Sequence, residues 1–503
     1  MLCVLPYVCC MALYAAIVAV HKDVLCPFTP DSLWYADVAR FLSGGEGFRC
    51  NITLASDPTS VPRPFYGWPP LYPAIGALLI RLGVDSLLAM RIVSIAAFVA
   101  LPVPLLALGI RLWGLIPAVA ATLWVPLWPT MFSLSGQALS ESLFLVFVAW
   151  TLAVVAKDAT TVHHPVRAGL LLGAAGLTRL AGAVFVPALA VSLLQKRNGF
   201  RAKDAIIAVG AFMGTAGLWV ARNSLATGAP SGFEEPAQSL RLIPVITASV
   251  QRVFWEMTSL GNVGLVLANR WKLVLPVLAV LTVILGFYRT SGSRILVLWA
   301  AVYLVGISWL RTKGPFDSPS GGRTLAPTLM LTAFWLAGNL GAVTWRSRRR
   351  AEQVVAGALL AVLWAGLLYG RARDVGGARI HAAPTCQLTQ CTLPAMELLD
   401  RLAAADEAVL SNVAFKTAWC QNRPSVQLPV RPYSTMGLSP GVLDALGRFH
   451  QTRFVYVEEA SVRGVQTHDP VVFALLRGDS LPGLEPLLVD EASALYRITP
   501  SIR

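Results

Sequence analysis

Charged residues are scarce in this chain of 503 residues. They make up 14% of the sequence, whereas 55% of the residues are hydrophobic. An average soluble domain has about 25% charged residues. Mean hydropathy is accordingly high, at +0.62. A chain built only of soluble domains is therefore excluded, and the composition favours one large bundle of membrane helices with a smaller soluble part.

Motifs that bind nucleotides or structural zinc are also missing. The sequence contains no GxxxxGK[ST] phosphate loop and no GxGxxG after a strand, so we expect no nucleotide cofactor. No combination of CxxC elements and histidine pairs supplies four zinc ligands. No internal repeat of solenoid length is visible either.

Basic residues outnumber acidic ones, and the net charge is +14. Many of them form short clusters between apolar runs, such as 195–197 and 346–350. This distribution is typical of the positive-inside rule of membrane proteins. We therefore interpret the charge as a sign of topology and expect no nucleic-acid partner.

Apolar runs that suit a membrane helix, which needs about 20 residues, recur through the first 370 residues. The first run lacks the basic start and the cleavage site of a signal peptide, so we expect it to remain as a span. A segment at 69–82 is too short to cross, so we expect a juxtamembrane or half-inserted helix there. Two short helices between 166 and 195 are expected to cross out and back and to meet at Thr178 and Arg179. The total is about eleven crossings. Besides these two short helices, the predicted spans are the first run, near 2–20, and those near 86–109, 114–134, 138–157, 204–222, 273–288, 294–310, 324–345 and 352–370.

The basic clusters also predict the orientation of the chain. With the N-terminus in the cytoplasm, the strong basic clusters face inward, except for the one from Arg311 to Lys313. The loops 223–272 and 311–323 then lie outside. We predict a membrane domain, residues 1–370, with its first outer loop at 22–85, and an extracytoplasmic domain, residues 371–503.

The composition changes after about residue 371. Short β-type runs alternate with segments of helical spacing, and proline and glycine mark the joins. The β-type runs lie at 408–411, 425–428 and 454–457, and the helical segments at 394–404 and 440–449. We predict a small α/β domain.

Cysteine positions suggest two disulfides if the outer segments face an oxidising compartment. The expected pairs are Cys26 with Cys50 and Cys386 with Cys391, which leaves Cys420 unpaired.

Charged residues inside apolar segments are costly, by about 2.5–3.5 kcal/mol at a helix centre, so the few that occur are candidates for function. Glu141 begins a predicted span at its outer end, and Arg179 lies at the break between the two short helices. These two could instead form an ion pair or a helix cap inside the bundle. Asp31 begins an amphipathic helix in the first outer loop, where it could serve as an N-cap, as a functional group, or as both.

The outer loop RTKGPFDSPSGGR, residues 311–323, holds two arginines and a lysine between outer membrane ends. Such a loop suits the phosphate of a lipid, although it could also be an ordinary solvated loop. Lys313 and Arg323 are its candidate phosphate ligands.

Five stretches occur in a characteristic order: PDSLWYADVARFLSGGEGF, RPFYGWPPLYPAIGALL, SLSGQALSESLFLVF, GAAGLTRLAGAVFVPAL and DSPSGGRTLAPTL. The set resembles the integral-membrane glycosyltransferases of the GT-C class, particularly the aminoarabinose transferases and protein O-mannosyltransferases. The resemblance covers roughly residues 1–370, and VLSNVAFKTAWCQNRPSVQLP is similar to the soluble tail of many relatives. It implies an enzyme of a bacterial inner membrane. Such an enzyme moves a sugar from a polyprenyl-phosphate donor to an acceptor hydroxyl at the outer face.

The resemblance also implies roles for particular residues. Asp31 matches the acid of the first loop, which acts as a catalytic base or helps to hold a metal. Glu141 matches a second acid, which would support Asp31 or a divalent metal ion. Arg179 and Arg323 match cations that contact the donor. The remaining candidates for donor binding are Arg63, Lys313 and Tyr35.

Two positions depart from the family pattern. Ser32 stands where many relatives have a second acid, and Trp68 stands where many have a lysine that neutralises the lipid phosphate. Arg63, Arg179 or Arg323 would then have to supply that charge.

One base and one phosphate leaving group predict a single displacement with inversion, without the paired carboxylates of a retaining hydrolase. The rival hypothesis is a transporter or lipid flippase. Transporters tend to show related halves and interrupted helices at the bilayer midplane, whereas this chain has no apparent repeat and collects its polar residues at one face.

Overall fold

A computed structural model describes most of the chain. The described residues are 4–21, 28–54, 63–157, 163–194, 202–228, 242–258, 294–312, 322–346, most of 350–368, 391–428, 440–449, 451–458, 470–490 and 492–499. The predicted span at 273–288, Lys313 and the predicted domain boundary near 371 lie outside them.

The chain divides into two compact units. The helical unit comprises Met1–Leu25, Tyr66–Tyr72 and Arg91–Ala382. The sheet unit comprises Cys26–Phe65, Pro73–Met90 and Ala383–Arg503.

The α-helices are numbered here in chain order. They are α1 (Leu5–His21), α2 (Pro30–Ser43), α3 (Leu71–Arg81), α4 (Ser86–Ala100), α5 (Pro102–Trp113), α6 (Leu115–Trp124), α7 (Pro129–Leu134), α8 (Glu141–Val155), α9 (His163–Thr178), α10 (Val186–Leu194), α11 (Ala202–Phe212), α12 (Leu218–Thr227), α13 (Leu242–Thr258), α14 (Arg294–Arg311), α15 (Ala326–Arg346), α16 (Pro394–Leu402), α17 (Ala414–Gln421), α18 (Pro440–Phe449) and α19 (Pro470–Leu476).

The strands are short, as a small sheet requires. They are β1 (Arg49–Cys50), β2 (Ile52–Leu54), β3 (Arg63–Pro64), β4 (Val409–Ser411), β5 (Ser425–Gln427), β6 (Phe454–Glu458), β7 (Leu484–Val489) and β8 (Ser493–Ile498).

Within the described residues, four helical segments are long and apolar enough to cross a bilayer: Ser86–Trp113, Ala202–Thr227, Arg294–Arg311 and Arg323–Trp345. Shorter apolar helices, such as Glu141–Val155, accompany them. The chain is accordingly an integral membrane protein, and the total of about eleven crossings stays a prediction. The helix α13 lies in the segment 223–272, where the sequence suggested only a loop.

The predicted helix break at Thr178 and Arg179 is confirmed. The helix α9 ends at Thr178, Arg179 is extended with φ −149° and ψ 130°, and a 3-10 turn at Leu180–Phe185 precedes α10. Small residues let α9 pack closely on its neighbour. A Cβ atom at Gly169 would meet the carbonyl oxygen of Ala208 in α11.

The sheet unit is built on six strands in the order β2-β5-β4-β6-β8-β7. The first four are parallel, and β8 pairs antiparallel with both β6 and β7. The prediction of a small α/β fold here is confirmed, because β4, β5, β6, α16 and α18 fall on the predicted segments. The strand β2 comes from the segment 22–85 and pairs with β5, a contact that the sequence did not reveal.

One predicted disulfide is wrong. Cys391 is bonded to Cys420 and so cannot pair with Cys386. The helix α17 ends next to the start of α16, as Gln421 Nε2 bonds to the carbonyl oxygen of Met396 within the sheet unit at 2.5 Å. This contact brings together two cysteines that are 29 residues apart in the sequence. Cys26 lies outside the described residues, so its pairing with Cys50 stays a prediction.

Candidate functional site

Glu141 is the first residue of α8 and is almost completely buried in the helical unit, with 2% of its surface exposed. The turn before it is held by a chain of hydrogen bonds. The hydroxyls of Tyr72 and Ser94 are 2.7 Å apart, and Ser94 donates to the carbonyl oxygen of Leu139 at 2.8 Å. The start of α8 also favours an acid, because its unpaired amides carry partial positive charge.

Arg179 reaches Glu141 from the helix break. Its Nη1 lies 2.8 Å from Oε1 of Glu141 and donates to Oγ of Ser140 at 3.1 Å. The extended backbone at Arg179 interrupts the helix. The ion pair between Glu141 and Arg179, which the sequence left open as an alternative, is therefore present.

Arg323 reaches the same carboxylate from a third element. It lies in a 3-10 turn, Gly322–Leu325, directly before α15, and its Nε is 3.3 Å from Oε1 of Glu141. The side chains of Arg179 and Arg323 are 22% and 28% exposed, respectively. The structure thus brings Glu141, Arg179 and Arg323 into one cluster, which we call the arginine cluster.

Arg311 extends the arginine cluster at the end of α14. It is 2% exposed, and its Nη2 donates a hydrogen bond to Oγ1 of Thr324, the residue after Arg323. The hydroxyl of Tyr303 donates to the carbonyl oxygen of Thr324 at 3.1 Å. Arg311 belonged to the one basic cluster that departed from the positive-inside rule. The positive-inside rule concerns charges in the loops between spans. Because the guanidinium of Arg311 is buried against Thr324, its position is determined by protein contacts, and the rule need not apply to it.

The charges of this region suit an anion better than a cation. Among the described residues named above, two arginines pair with a single glutamate and a third, Arg311, bonds to Thr324 beside them, so positive charge is in excess here. In the described part of the chain, no group of three or more His, Cys, Asp and Glu side chains is placed to hold a metal ion. Glu141 is already shared by two guanidinium groups, which disfavours a divalent ion beside it. The described residues therefore do not fit the metal site that the resemblance suggested.

Arg222 is a further cation of the helical unit, and it was not among the candidates predicted from the sequence. It lies in α12, and its guanidinium is 4.5 Å from the ring centre of Tyr66 and 4.4 Å from that of Trp219. The next residue, Asn223, donates to the carbonyl oxygen of Tyr66 at 2.9 Å. These contacts hold a positive charge against Tyr66, two residues before Trp68, the position at which the resemblance led us to expect a lysine. The only signal in the sequence was an arginine near the end of an apolar helix.

Asp31 is half-buried in the first turn of α2, within the sheet unit. It is not the N-cap, which corrects one interpretation of the sequence. The cap is Thr29, whose Oγ1 accepts from the amide of Ser32 at 3.3 Å, while Oγ of Ser32 accepts from the amide of Thr29 at 3.0 Å. This reciprocal capping box gives Ser32 a structural role.

Asp37 is a second acid of α2, and it was not among the candidates predicted from the sequence. It is completely buried, and it accepts hydrogen bonds from Arg40 Nη2 at 2.7 Å and from the amide of Asn51 at 2.6 Å. Burial raises its pKa above the usual value, although Arg40 and Asn51 act in the opposite direction. Its contacts join α2 to the segment between β1 and β2, so we assign Asp37 a structural role. The spacing of Asp37 and Arg40, three residues apart on a helix, was the available signal.

The other candidates are placed as follows. Tyr35 is buried in α2. Arg63 lies in β3 opposite Cys50 of β1, and only its backbone is described. Lys313 is outside the described residues.

Comparison with known proteins gives matches in structure alone. The chain matches no protein-family model and no curated protein sequence. ArnT from Cupriavidus metallidurans, solved with undecaprenyl phosphate bound, is similar with a TM-score of 0.58 and 13% identity over 97% of each chain.

Two further glycosyltransferases are similar over most of this chain. The archaeal oligosaccharyltransferase AglB from Archaeoglobus fulgidus, solved with an inhibitory peptide and a dolichol-phosphate, has a TM-score of 0.53 and 12% identity over 90% of this chain and 69% of its own. Another structure of that archaeal enzyme contains Zn and sulfate. The arabinofuranosyltransferase AftD from mycobacteria has a TM-score of 0.50 and 12% identity, over 98% of this chain and 40% of its own. The chain therefore has the fold of the GT-C glycosyltransferases, as the resemblance predicted.

Proposed function

We propose that this protein is a glycosyltransferase that moves a sugar from a polyprenyl-phosphate donor to an acceptor hydroxyl. The observation that carries the proposal is the arginine cluster, in which the buried Glu141 holds Arg179 and Arg323 at the broken ends of membrane helices. The phosphate lipids bound by ArnT and AglB, which share this fold, support a donor of the same class.

Arg179 and Arg323 are the proposed ligands of the donor phosphate. Guanidinium groups present planar sets of N–H donors that match phosphate oxygens, and they keep their charge in a partly buried site. They would stabilise the charge that develops on the departing phosphate. Glu141 uses its carboxylate to hold both arginines, so we assign it as a positioning residue rather than as a second base.

Asp31 is the proposed catalytic base. It would take the proton from the acceptor hydroxyl while the acceptor oxygen forms a bond to the anomeric carbon of the sugar. The bond from that carbon to the phosphate oxygen breaks, and polyprenyl phosphate leaves with the bonding electrons. A single displacement of this kind inverts the anomeric centre.

Arg222 is a candidate for the charge that relatives place at the position of Trp68. Its guanidinium is held over Tyr66 by cation–π contact, two residues before Trp68. We propose that it contacts the lipid phosphate in place of that lysine. By the predicted topology, the reaction takes place at the outer face of a bacterial inner membrane.

Binding of undecaprenyl phosphate tests the donor site without knowledge of the sugar. Arg323→Gln removes one proposed ligand, and Arg294→Gln, in an exposed residue at the start of α14, is the matched control. Loss of a charge-assisted contact worth about 1.5–3 kcal/mol should weaken binding by about tenfold or more in Arg323→Gln. The control should bind like the wild type.

Equal affinity of all three proteins would count against the arginine cluster as the phosphate site. A transporter would give a different result. It would move labelled lipid between the leaflets of a vesicle without releasing polyprenyl phosphate from a sugar-loaded donor.

A further inference from the structure

A second basic site lies in the helical unit, at the other end of α8 from Glu141. There a cavity of about 210 Å³ is lined by side chains of α5, α8, α9 and the turn after α8. The helix α8 has 15 residues, and a rise of 1.5 Å per residue puts its two ends about 22 Å apart. The cavity is thus separate from the arginine cluster.

The lining of the cavity combines cations with an aromatic side chain. Arg111, Lys157 and Arg167 supply positive charge, His164 is buried in the wall, and Trp150 lies two helical turns before Lys157. The described lining contains no acidic residue. The site therefore favours an anion with an apolar neighbour.

Arg111 is held in place by a hydrogen bond between two helices, so the positive charge at this end of α8 does not come from loop residues alone. It lies in the last turn of α5, and its Nη1 donates to the carbonyl oxygen of Ala153 in the last turn of α8. The bond satisfies one of the carbonyls that a helix end leaves without an intrahelical partner. It also fixes a guanidinium, which has five N–H donors, in the wall of the cavity.

We propose that this cavity binds the phosphate-bearing headgroup of an anionic phospholipid. Its volume is below the range of about 300–1,000 Å³ that holds a drug-sized molecule, which suits a headgroup better than a whole lipid. Trp150 fits the interfacial level of a bilayer. The predicted topology puts this end of α8 on the cytoplasmic side, where basic pockets between membrane helices bind anionic headgroups.

Lipid selection by the full-length protein tests the proposal. The wild type and two double variants are reconstituted in bilayers of equimolar phosphatidylglycerol and phosphatidylcholine, and the retained lipids are counted by native mass spectrometry. Lys157→Gln with Arg167→Gln changes two exposed cavity residues and leaves the Arg111 bond in place. Lys203→Gln with Arg294→Gln removes the same two residue types from exposed positions outside the cavity lining.

The ratio of bound phosphatidylglycerol to phosphatidylcholine should fall about thirtyfold in the cavity variant, as the loss of two cation contacts to an anionic lipid predicts. The control should keep the wild-type ratio. An equal fall in both variants would mean general attraction to an anionic surface and would overturn the proposal.

A last arm separates a lipid headgroup from a soluble anion. In detergent without lipid, short-chain phosphatidylglycerol should raise the unfolding temperature of the wild type but not of the cavity variant. If inorganic phosphate gave the same rise, the assignment to a lipid would be wrong. Neither arm depends on sugar transfer, so failure here and failure of the proposed glycosyltransferase activity are distinguishable.

Discussion

Replacement of Glu141 by glutamine should destabilise the helical unit, because two arginines would lose their shared carboxylate. Removing one member of a buried ion pair costs about 3–5 kcal/mol. Because Arg179 and Arg323 are 22% and 28% exposed, water can screen part of the lost interaction. Glutamine also keeps one hydrogen-bond acceptor. We therefore expect a loss at or below the lower end of that range, about 2–3 kcal/mol in the free energy of unfolding.

A double-mutant cycle separates the two arginines. The contact of Glu141 with Arg179 is shorter than that with Arg323, 2.8 Å against 3.3 Å, and Arg179 also bonds Ser140. We expect a coupling energy of about 2 kcal/mol between Glu141 and Arg179, and about 1 kcal/mol between Glu141 and Arg323. The variants are Glu141→Gln, Arg179→Gln, Arg323→Gln and the two corresponding doubles.

Unfolding in mixed micelles of detergent and SDS, followed by tryptophan fluorescence, measures these energies. Glu46→Gln is the control, since Glu46 is exposed in the turn after α2 and such surface changes usually stay within about 0.5 kcal/mol. A loss below about 0.5 kcal/mol for Glu141→Gln, or a larger coupling to Arg323 than to Arg179, would refute this account of the arginine cluster.

Three further predictions concern the scaffold. Gly169→Ala should lower the unfolding temperature, because the new methyl meets Ala208, whereas Gly210→Ala, where a Cβ meets nothing within 4 Å, should not; an equal effect of the two would contradict the proposed close packing of α9. Cys391→Ser should destabilise the sheet unit by about 3 kcal/mol under oxidising conditions, and addition of a reductant should remove the difference from the wild type. Hydrogen bonding to Arg453 holds the pKa of Glu407 below its usual value of 4.5, so this carboxylate stabilises the fold above that pH and ceases to do so as pH falls through its folded pKa. The difference in unfolding temperature between the wild type and Glu407→Gln should therefore be present at pH 7 and vanish in acid, and a constant difference would show that the pair is not the cause.

Local patterns predicted the elements of the chain better than their assembly. The break at Arg179, the short α3 and the three parallel strands β4, β5 and β6 were visible because composition and period change within a few residues. The pairing of β2 with β5 joins segments more than 370 residues apart. No local pattern encodes such a contact.

Local sequence patterns likewise revealed some residues of the candidate site and not those that depend on contacts between distant segments. Glu141 and Arg179 stood out because charges are rare in apolar segments, and Arg323 stood out because it ends a loop with several cations directly before a predicted span. Arg222 did not, since its stacking on Tyr66 depends on two distant segments that meet only in the fold. The wrong pairing of Cys386 with Cys391 arose from short sequence distance. The actual partner, Cys420, is brought to Cys391 by the packing of α17.

Release of polyprenyl phosphate from a sugar-loaded polyprenyl-phosphate donor is the most direct test of the proposed function. Donor lipids and acceptor membranes would come from cells that lack the protein, and the purified wild type would be compared with Asp31→Asn and with the control Glu46→Gln. The account predicts release by the wild type and by Glu46→Gln, with loss of nearly all release in an Asp31→Asn protein that still inserts and folds. Undiminished release by Asp31→Asn would contradict the assigned base. No release by the wild type from any donor in the extract would contradict the proposed transfer reaction.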